Sequence, residues 1–317
     1  MTPLISICIP AYKRTDFLQR LLDSILCQTF KDFEVVITDD SPTNEVELLC
    51  KKYEEKFKVS YCKNKTVLGS PENWNEAIRR AEGSWIKLMH DDDWFVDEYS
   101  LAKFANRISD SHSFIFSGYN NVYLNTDNKV SSYLISSRQK KMLQNDPYNL
   151  LKQNFIGHPS TTLIKNSLTE WYDNSFKWVV DIEFYIRYLL DNRQYAVIEE
   201  PLINIGISSS QITASVFRNP DVEIPENIRF MKKMKKGVLK NIFVYDYFWR
   251  LIRNLSIRNE TMIAQYYSGE VPNVLKKIIQ HQKFLPVSVL KTGFISCLLY
   301  TSPSPRDRTR YRMPSSA

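Results

Sequence analysis

An α/β fold is predicted for this chain by three observations. Apolar, β-rich runs alternate with helical periodicity over the first hundred residues, polar residues gather where the runs stop, and one run ends in three consecutive aspartates. The first run, Leu4-Ile5-Ser6-Ile7-Cys8-Ile9, is stopped by Pro10-Ala11-Tyr12-Lys13-Arg14. Phe17, Leu18, Leu21, Leu22, Ile25 and Leu26 then recur at helical spacing behind Thr15 or Asp16, either of which suits a cap. A second run, Phe33 to Thr38, ends in Asp39-Asp40-Ser41-Pro42, and strand, helix and strand of these lengths make a βαβ unit with a right-handed crossover. A third strand near Val59 to Cys62 and a helix over Glu72 to Ala81 lead to a buried strand from Trp85 that runs into His90-Asp91-Asp92-Asp93-Trp94. Open α/β sheets bind ligands beyond the carboxyl ends of their strands, which is where these polar residues fall.

The aspartates carry the chemical argument. Adjacent carboxylates repel one another and are costly to desolvate, so beside an apolar run they imply a bound cation. Oxygen ligands suit Mg²⁺ or Mn²⁺, which keeps several waters and takes one or two carboxylates plus substrate phosphates. A nucleoside diphosphate is the ligand this favours. The plainer reading of the same residues is a solvated acidic loop or helix N-terminus.

Six segments, Ile9-Pro10-Ala11-Tyr12, Ile25 to Phe30, Val36-Ile37-Thr38-Asp39-Asp40, Asn73-Trp74-Asn75, Ala81-Glu82-Gly83 and His90 to Trp94, together resemble in order and spacing the inverting family 2 glycosyltransferases. The resemblance implies the GT-A fold, a mixed, mostly parallel central sheet flanked by helices, and sugar transfer from a nucleoside diphosphate donor to a glycan or lipid-linked glycan acceptor in bacterial surface polysaccharide synthesis. It places Pro10, Ala11 and Tyr12 at the base and ribose, Asp40 as acceptor from the base, Asp39 as brace of its loop, and Asn73 or Asn75 near the nucleotide. Asp92 becomes the main ligand of a Mn²⁺ or Mg²⁺ ion, Asp93 its support, and Asp91 a holder of the ribose. The family motif reads Asp-any-Asp, so His90 in the first place is a departure. Asp181, in Trp178-Val179-Val180-Asp181-Ile182-Glu183, matches the family's general base, with Glu183 second and a plain N-cap as the structural alternative. Val180 replaces the family's Glu. His158, in the loop Asn154 to Leu163, faces the acceptor or leaving phosphate on this reading, and Gly206 and Ser208 stand where relatives carry Arg-any-His.

With 317 residues, 43% of them hydrophobic, the chain can build one large core and an appended region. The expected division is a catalytic domain over 1–220, with a nucleotide half 1–110 and an acceptor half 111–220, then a helical region over 221–296. Residues 297–317 read as a translated adapter rather than native sequence. Removing that tail's four arginines and one aspartate takes the net charge from +7 to +4. No run of about 20 apolar residues predicts a transmembrane helix. Five cysteines without a CxxC pattern fit reduced thiols and a cytoplasmic setting. Between Arg229 and Arg258, nine basic residues are interleaved with aromatics around a single acid, Asp246. That composition fits a packed helical flank or peripheral contact with the anionic inner face of a membrane, and less well nucleic acid, which is not expected as a partner. Two other functions fit less well: a sugar-phosphate nucleotidyltransferase, which would want a glycine-rich loop where Pro10-Ala11-Tyr12 stands, and a decayed carbohydrate-binding protein.

Overall fold

The computed structural model describes residues 2–124, 129–208 and 216–286, so the expected foreign tail lies outside the described residues. The chain divides into two compact units, one of Met1–Lys140 with Ile156–Gln211 and another of Lys141–Phe155 with the residues from Ile212 onward. By contacts, the second unit includes the segment 141–155 as well as the residues from Ile212 onward.

The first unit holds a nine-stranded sheet in the order β3-β2-β1-β4-β8-β6-β9-β5, with β7 paired to β6. The strands are β1 (Ile5–Ala11), β2 (Phe33–Asp39), β3 (Val59–Lys63), β4 (Trp85–Leu88), β5 (Asp93–Phe95), β6 (Phe114–Tyr123), β7 (Lys129–Tyr133), β8 (Thr162–Lys165) and β9 (Tyr195–Ile207). β1 runs parallel to both β2 and β4, and β2 to β3, as the βαβ reading requires. Antiparallel pairs appear further along, β4 with β8 and β5 with β9, so the sheet is mixed. Its helices are α1 (Thr15–Leu26), α2 (Glu45–Lys51), α3 (Glu72–Arg79), α4 (Ser100–Ala105) and α6 (Val180–Asp191), while α5 (Ser137–Asn145) runs across the boundary between the units. Leu18, Leu21, Leu22 and Ile25 of α1 are buried against the apolar faces of β1 and β2, as their spacing demands. Neither Thr15 nor Asp16 caps that helix: Arg14 occupies the N-cap position, with no side-chain cap bond.

The second unit is helical, with α7 (Pro220–Lys233), α8 (Ile242–Asn254), α9 (Glu260–Ala264) and α10 (Asn273–Lys283). Asn241 and Asn259 cap α8 and α9, accepting from Phe243 N at 2.9 Å and Met262 N at 3.0 Å. Val244, Phe248, Leu251 and Ile252 of α8 are buried, as are Leu275, Ile278 and Ile279 of α10. The arginines are largely structural: Arg250 pairs with Asp246 at 2.7 Å, and Arg258 donates to the Gln282 and Leu285 carbonyls at 2.6 and 3.2 Å. Among the described residues no helix is long and apolar enough to cross a membrane.

Candidate active site

Register sets the site. Ala11 lies opposite Asp39 in the parallel β1–β2 pair, and Cys8 opposite Leu88 in β1–β4, so three neighbouring strands deliver Pro10-Ala11-Tyr12, Asp39-Asp40 and the aspartate run to one edge of the sheet. The chain turns sharply after β1, with Lys13 in the left-handed region at φ 67° and its N–H donating to Ser41 Oγ at 2.7 Å. Tyr12 is exposed at this turn, with Lys13 Nζ 4.8 Å from its ring centroid.

Asp39 accepts from Ser41 N at 2.7 Å and from Tyr61 Oη at 2.8 Å. Asp40 does similar work: its carboxylate accepts from Asn64 Nδ2 at 2.8 Å, Leu68 N at 3.0 Å and Gly69 N at 2.8 Å. A carboxylate offers about four acceptor positions, of which these three donors take three. The asparagines of α3, expected near the nucleotide, are hydrogen-bonded within the chain. Asn73 donates to the Thr38 and Ala11 carbonyls at 3.2 and 3.4 Å and accepts from Asn64, while Asn75 exchanges bonds with the Tyr172 backbone at 2.7 and 3.0 Å. Both side chains thus tie the chain to itself.

The three aspartates are buried, between 2% and 7% exposed, and they divide. Asp91, expected at the ribose, is held by the Arg14 guanidinium through both oxygens, with Nε to Oδ2 at 3.3 Å. Arg14 also reaches Asp92 Oδ2 at 3.3 Å. Even so, burial and the neighbouring Asp92 push the Asp91 carboxyl up to about 7. Asp93 is pushed well above the usual carboxylate range by the same two causes, against donors from the Ser160 side chain and Gly206 N–H. Among the described residues no lysine or arginine forms an ion pair with it. A ring nitrogen of His90 and carboxylate oxygens of Asp92 and Asp93 lie within 4.8 Å of one another. The residues therefore fit a divalent cation: Arg14 is shared between Asp91 and Asp92, Asp93 has no ion pair among the described residues, and a bound ion would relieve the repulsion that remains. His90, set apart by the motif comparison, is part of this group; its ring packs on Trp74, centroids 4.6 Å apart, and burial holds its pKa below the ordinary value.

Ser160, fully buried, organises the cluster. Its Oγ accepts from His90 N at 3.0 Å and bonds the Asp93 carboxylate, and its carbonyl accepts from Lys87 Nζ. Lys87 is itself 0% exposed, donates to the Thr162 carbonyl at 3.3 Å, and has its Nζ 4.5 Å from the centroid of the Phe104 ring. Desolvation drives its pKa well below the ordinary lysine value. Gly206 also has a role: a Cβ there would collide with the Asp92 carbonyl oxygen, so only glycine lets β9 approach the aspartates this closely. Sequence reasoning assigned no role to Arg14, Lys87 or Ser160. Lys87 could have been flagged, because a lone charge in an apolar strand needs internal partners.

Helix α6 brings Asp181 to the same place. Val179, not Asp181, is its N-cap residue, so the cap alternative does not hold. Asp181 is 3% exposed, accepts from Ile182 N at 2.9 Å, and acts electrostatically on both His90 and Tyr172. Glu183 is instead held by Arg187, with Nε to Oε1 at 3.1 Å and Nη2 to Oε2 at 3.3 Å.

Residues 6–170 match the family model described as Glycosyl transferase family 2. An uncharacterized glycosyltransferase of Methanocaldococcus jannaschii is 25% identical over 253 residues, 78% of this chain and 85% of its own. The putative colanic acid biosynthesis glycosyl transferase WcaA of Escherichia coli is 26% identical over 283 residues, covering 84% and 98%. S. aureus TarS 1-349, solved in complex with UDP-GlcNAc, superposes with a TM-score of 0.59 at 15% identity, over 92% of each chain, whereas only 52% of a longer TarS chain is covered. The fold is GT-A, as expected.

Proposed function

The chain belongs to glycosyl transferase family 2 and is a glycosyltransferase, and from that premise we propose that it moves a sugar, with inversion, from a nucleoside diphosphate donor to a glycan or lipid-linked glycan hydroxyl. The observation that carries the reading is the convergence of Pro10-Ala11-Tyr12, the buried aspartate cluster and Asp181 in one unit. Tyr12 would stack on the base, with Pro10 and Ala11 shaping the pocket and the remaining acceptor position of Asp40 taking a base N–H. Asp92 and Asp93 would hold Mn²⁺ or Mg²⁺, which when bound neutralises charge on the diphosphate. Asp181 would take the proton of the acceptor hydroxyl as its oxygen attacks the anomeric carbon from the face opposite the diphosphate, and Glu183, already paired, is the weaker choice. The likeness to WcaA, a putative colanic acid biosynthesis glycosyl transferase, supports polysaccharide synthesis, and the UDP-GlcNAc complex of TarS supports a uridine donor. Assaying transfer or hydrolysis with a panel of UDP-, dTDP- and GDP-sugars and Mn²⁺ tests this; no turnover of any donor would favour the decayed-site reading.

A peripheral contact with the anionic inner face of the membrane fits the second unit's exposed Lys235, Lys236 and Lys240 beside Ile242, which is 56% exposed. Liposome sedimentation at low salt is the check, and failure of the unmutated protein to bind removes the idea.

A further inference from the structure

The departure at His90 changes the chemistry of the site rather than weakening it. Where the family's motif supplies an oxygen, this chain supplies an imidazole, and the backbone on either side is fixed: His90 N–H is bonded to Ser160 Oγ at 3.0 Å, and the same serine bonds Asp93. The ring is backed by Trp74. His90 Nε2 is enclosed and, among the described residues, has no hydrogen-bond partner. Leaving a buried ring nitrogen unsatisfied costs stability unless something binds it, and native proteins seldom tolerate that. Arg14 holds Asp91 through both oxygens and reaches Asp92 Oδ2 at 3.3 Å, while a His90 ring nitrogen and carboxylate oxygens of Asp92 and Asp93 lie within 4.8 Å of one another.

We infer that His90 is a direct ligand of the cation and that the site selects transition metals such as Mn²⁺ and Co²⁺ over Mg²⁺. Imidazole suits first-row transition metals, whereas Mg²⁺ favours oxygen and sheds its waters reluctantly. Replacing one oxygen ligand by nitrogen therefore lowers Mg²⁺ affinity more than that of Co²⁺ or Mn²⁺. This rests on the cation reading given above and deepens it.

The test uses the full chain with UDP. Pulsed EPR of bound Mn²⁺ should show coupling to a directly ligated nitrogen in the wild type and none in His90→Asp. By calorimetry, the ratio of Co²⁺ to Mg²⁺ affinity should fall at least tenfold in His90→Asp, which restores Asp-any-Asp. His90→Asn, which adds no charge, guards against misfolding of the first variant and should also lose the nitrogen signal. Nitrogen coupling absent from the wild type, coupling that persists in both variants, or an unchanged Co²⁺ to Mg²⁺ ratio overturns the inference while leaving a cation site in place. If the wild type with UDP binds no divalent ion at all, the cation reading falls together with it.

Discussion

Asp93 in the first unit and Asp246 in the second are both buried, 2% and 6% exposed, yet only Asp246 has a cation bonded to it. Arg250, one helical turn on, meets Asp246 at 2.7 Å and also donates to the Leu151 carbonyl at 3.0 Å, so charge and hydrogen bonds are both matched locally. Burial raises the pKa of both carboxyls, but Arg250 opposes the rise at Asp246, whereas at Asp93 a second carboxylate adds to it and only two neutral donors oppose it. Buried charge that is compensated within the chain is architecture. Buried charge left in excess marks a place where the protein expects a ligand.

Stability measurements on the cation-free protein can break that contrast. Asp246→Ala should cost about 3 kcal/mol, the lower part of the range for breaking a buried pair, because Arg250 keeps its carbonyl partners. Asp93→Asn should cost less than about 1 kcal/mol or stabilise, since it relieves repulsion at little loss of hydrogen bonding. Equal losses in urea titrations would erase the distinction between the two sites.

The same logic separates Asp181 from Glu183. Glu183 is satisfied by Arg187, so Glu183→Gln should leave turnover within a few-fold of wild type. Asp181→Asn should lower turnover on the order of a hundredfold while nucleotide affinity holds, as loss of a general base does. Steady-state kinetics showing the larger defect in Glu183→Gln would exchange their roles.

A smaller effect concerns pH. Asp91 and Asp93 have folded-state pKa values raised above their unfolded ones, so their contribution to stability is fully present below the unfolded carboxylate range and is lost as pH rises through the folded values, about 7 for Asp91. A cation binds the deprotonated forms, so the rise in melting temperature caused by Mn²⁺ should be larger at pH 8 than at pH 5.5. Thermal scans giving the same rise at both values would mean that the cluster does not hold the ion.

How much of this was legible in the sequence follows sequence separation. The apolar run of β1 and the helical spacing of Leu18 to Ile25 are local patterns, and both elements form, though β1 continues through Pro10 and Ala11, which the sequence presents as its stop. The aspartate run and the helix carrying Asp181 were likewise visible as motifs. Arg14 reaches Asp91 across 77 residues and Ser160 reaches His90 across 70, and nothing local announces either bond. The antiparallel pairing of β5 with β9, which sets Asp93 opposite Ile205 and brings Gly206 alongside, is a tertiary event that no periodicity encodes. For that reason Gly206 read as a missing ligand, when the fold needs its lack of a side chain. His90 read as a defect because a motif counts identities, while the site depends on which atoms converge.

If Asp92 and Asp93 hold a cation for a nucleoside diphosphate, titration calorimetry of UDP with Mn²⁺ or with EDTA will show it in the nucleotide's affinity. Wild-type protein should bind UDP at least about tenfold more tightly with Mn²⁺, a difference of about 1.4 kcal/mol. Asp92→Asn should bind UDP in Mn²⁺ no better than the wild type does in EDTA. Equal UDP affinity with Mn²⁺ and with EDTA in the wild type, or an unaltered Mn²⁺ effect in Asp92→Asn, would contradict the account.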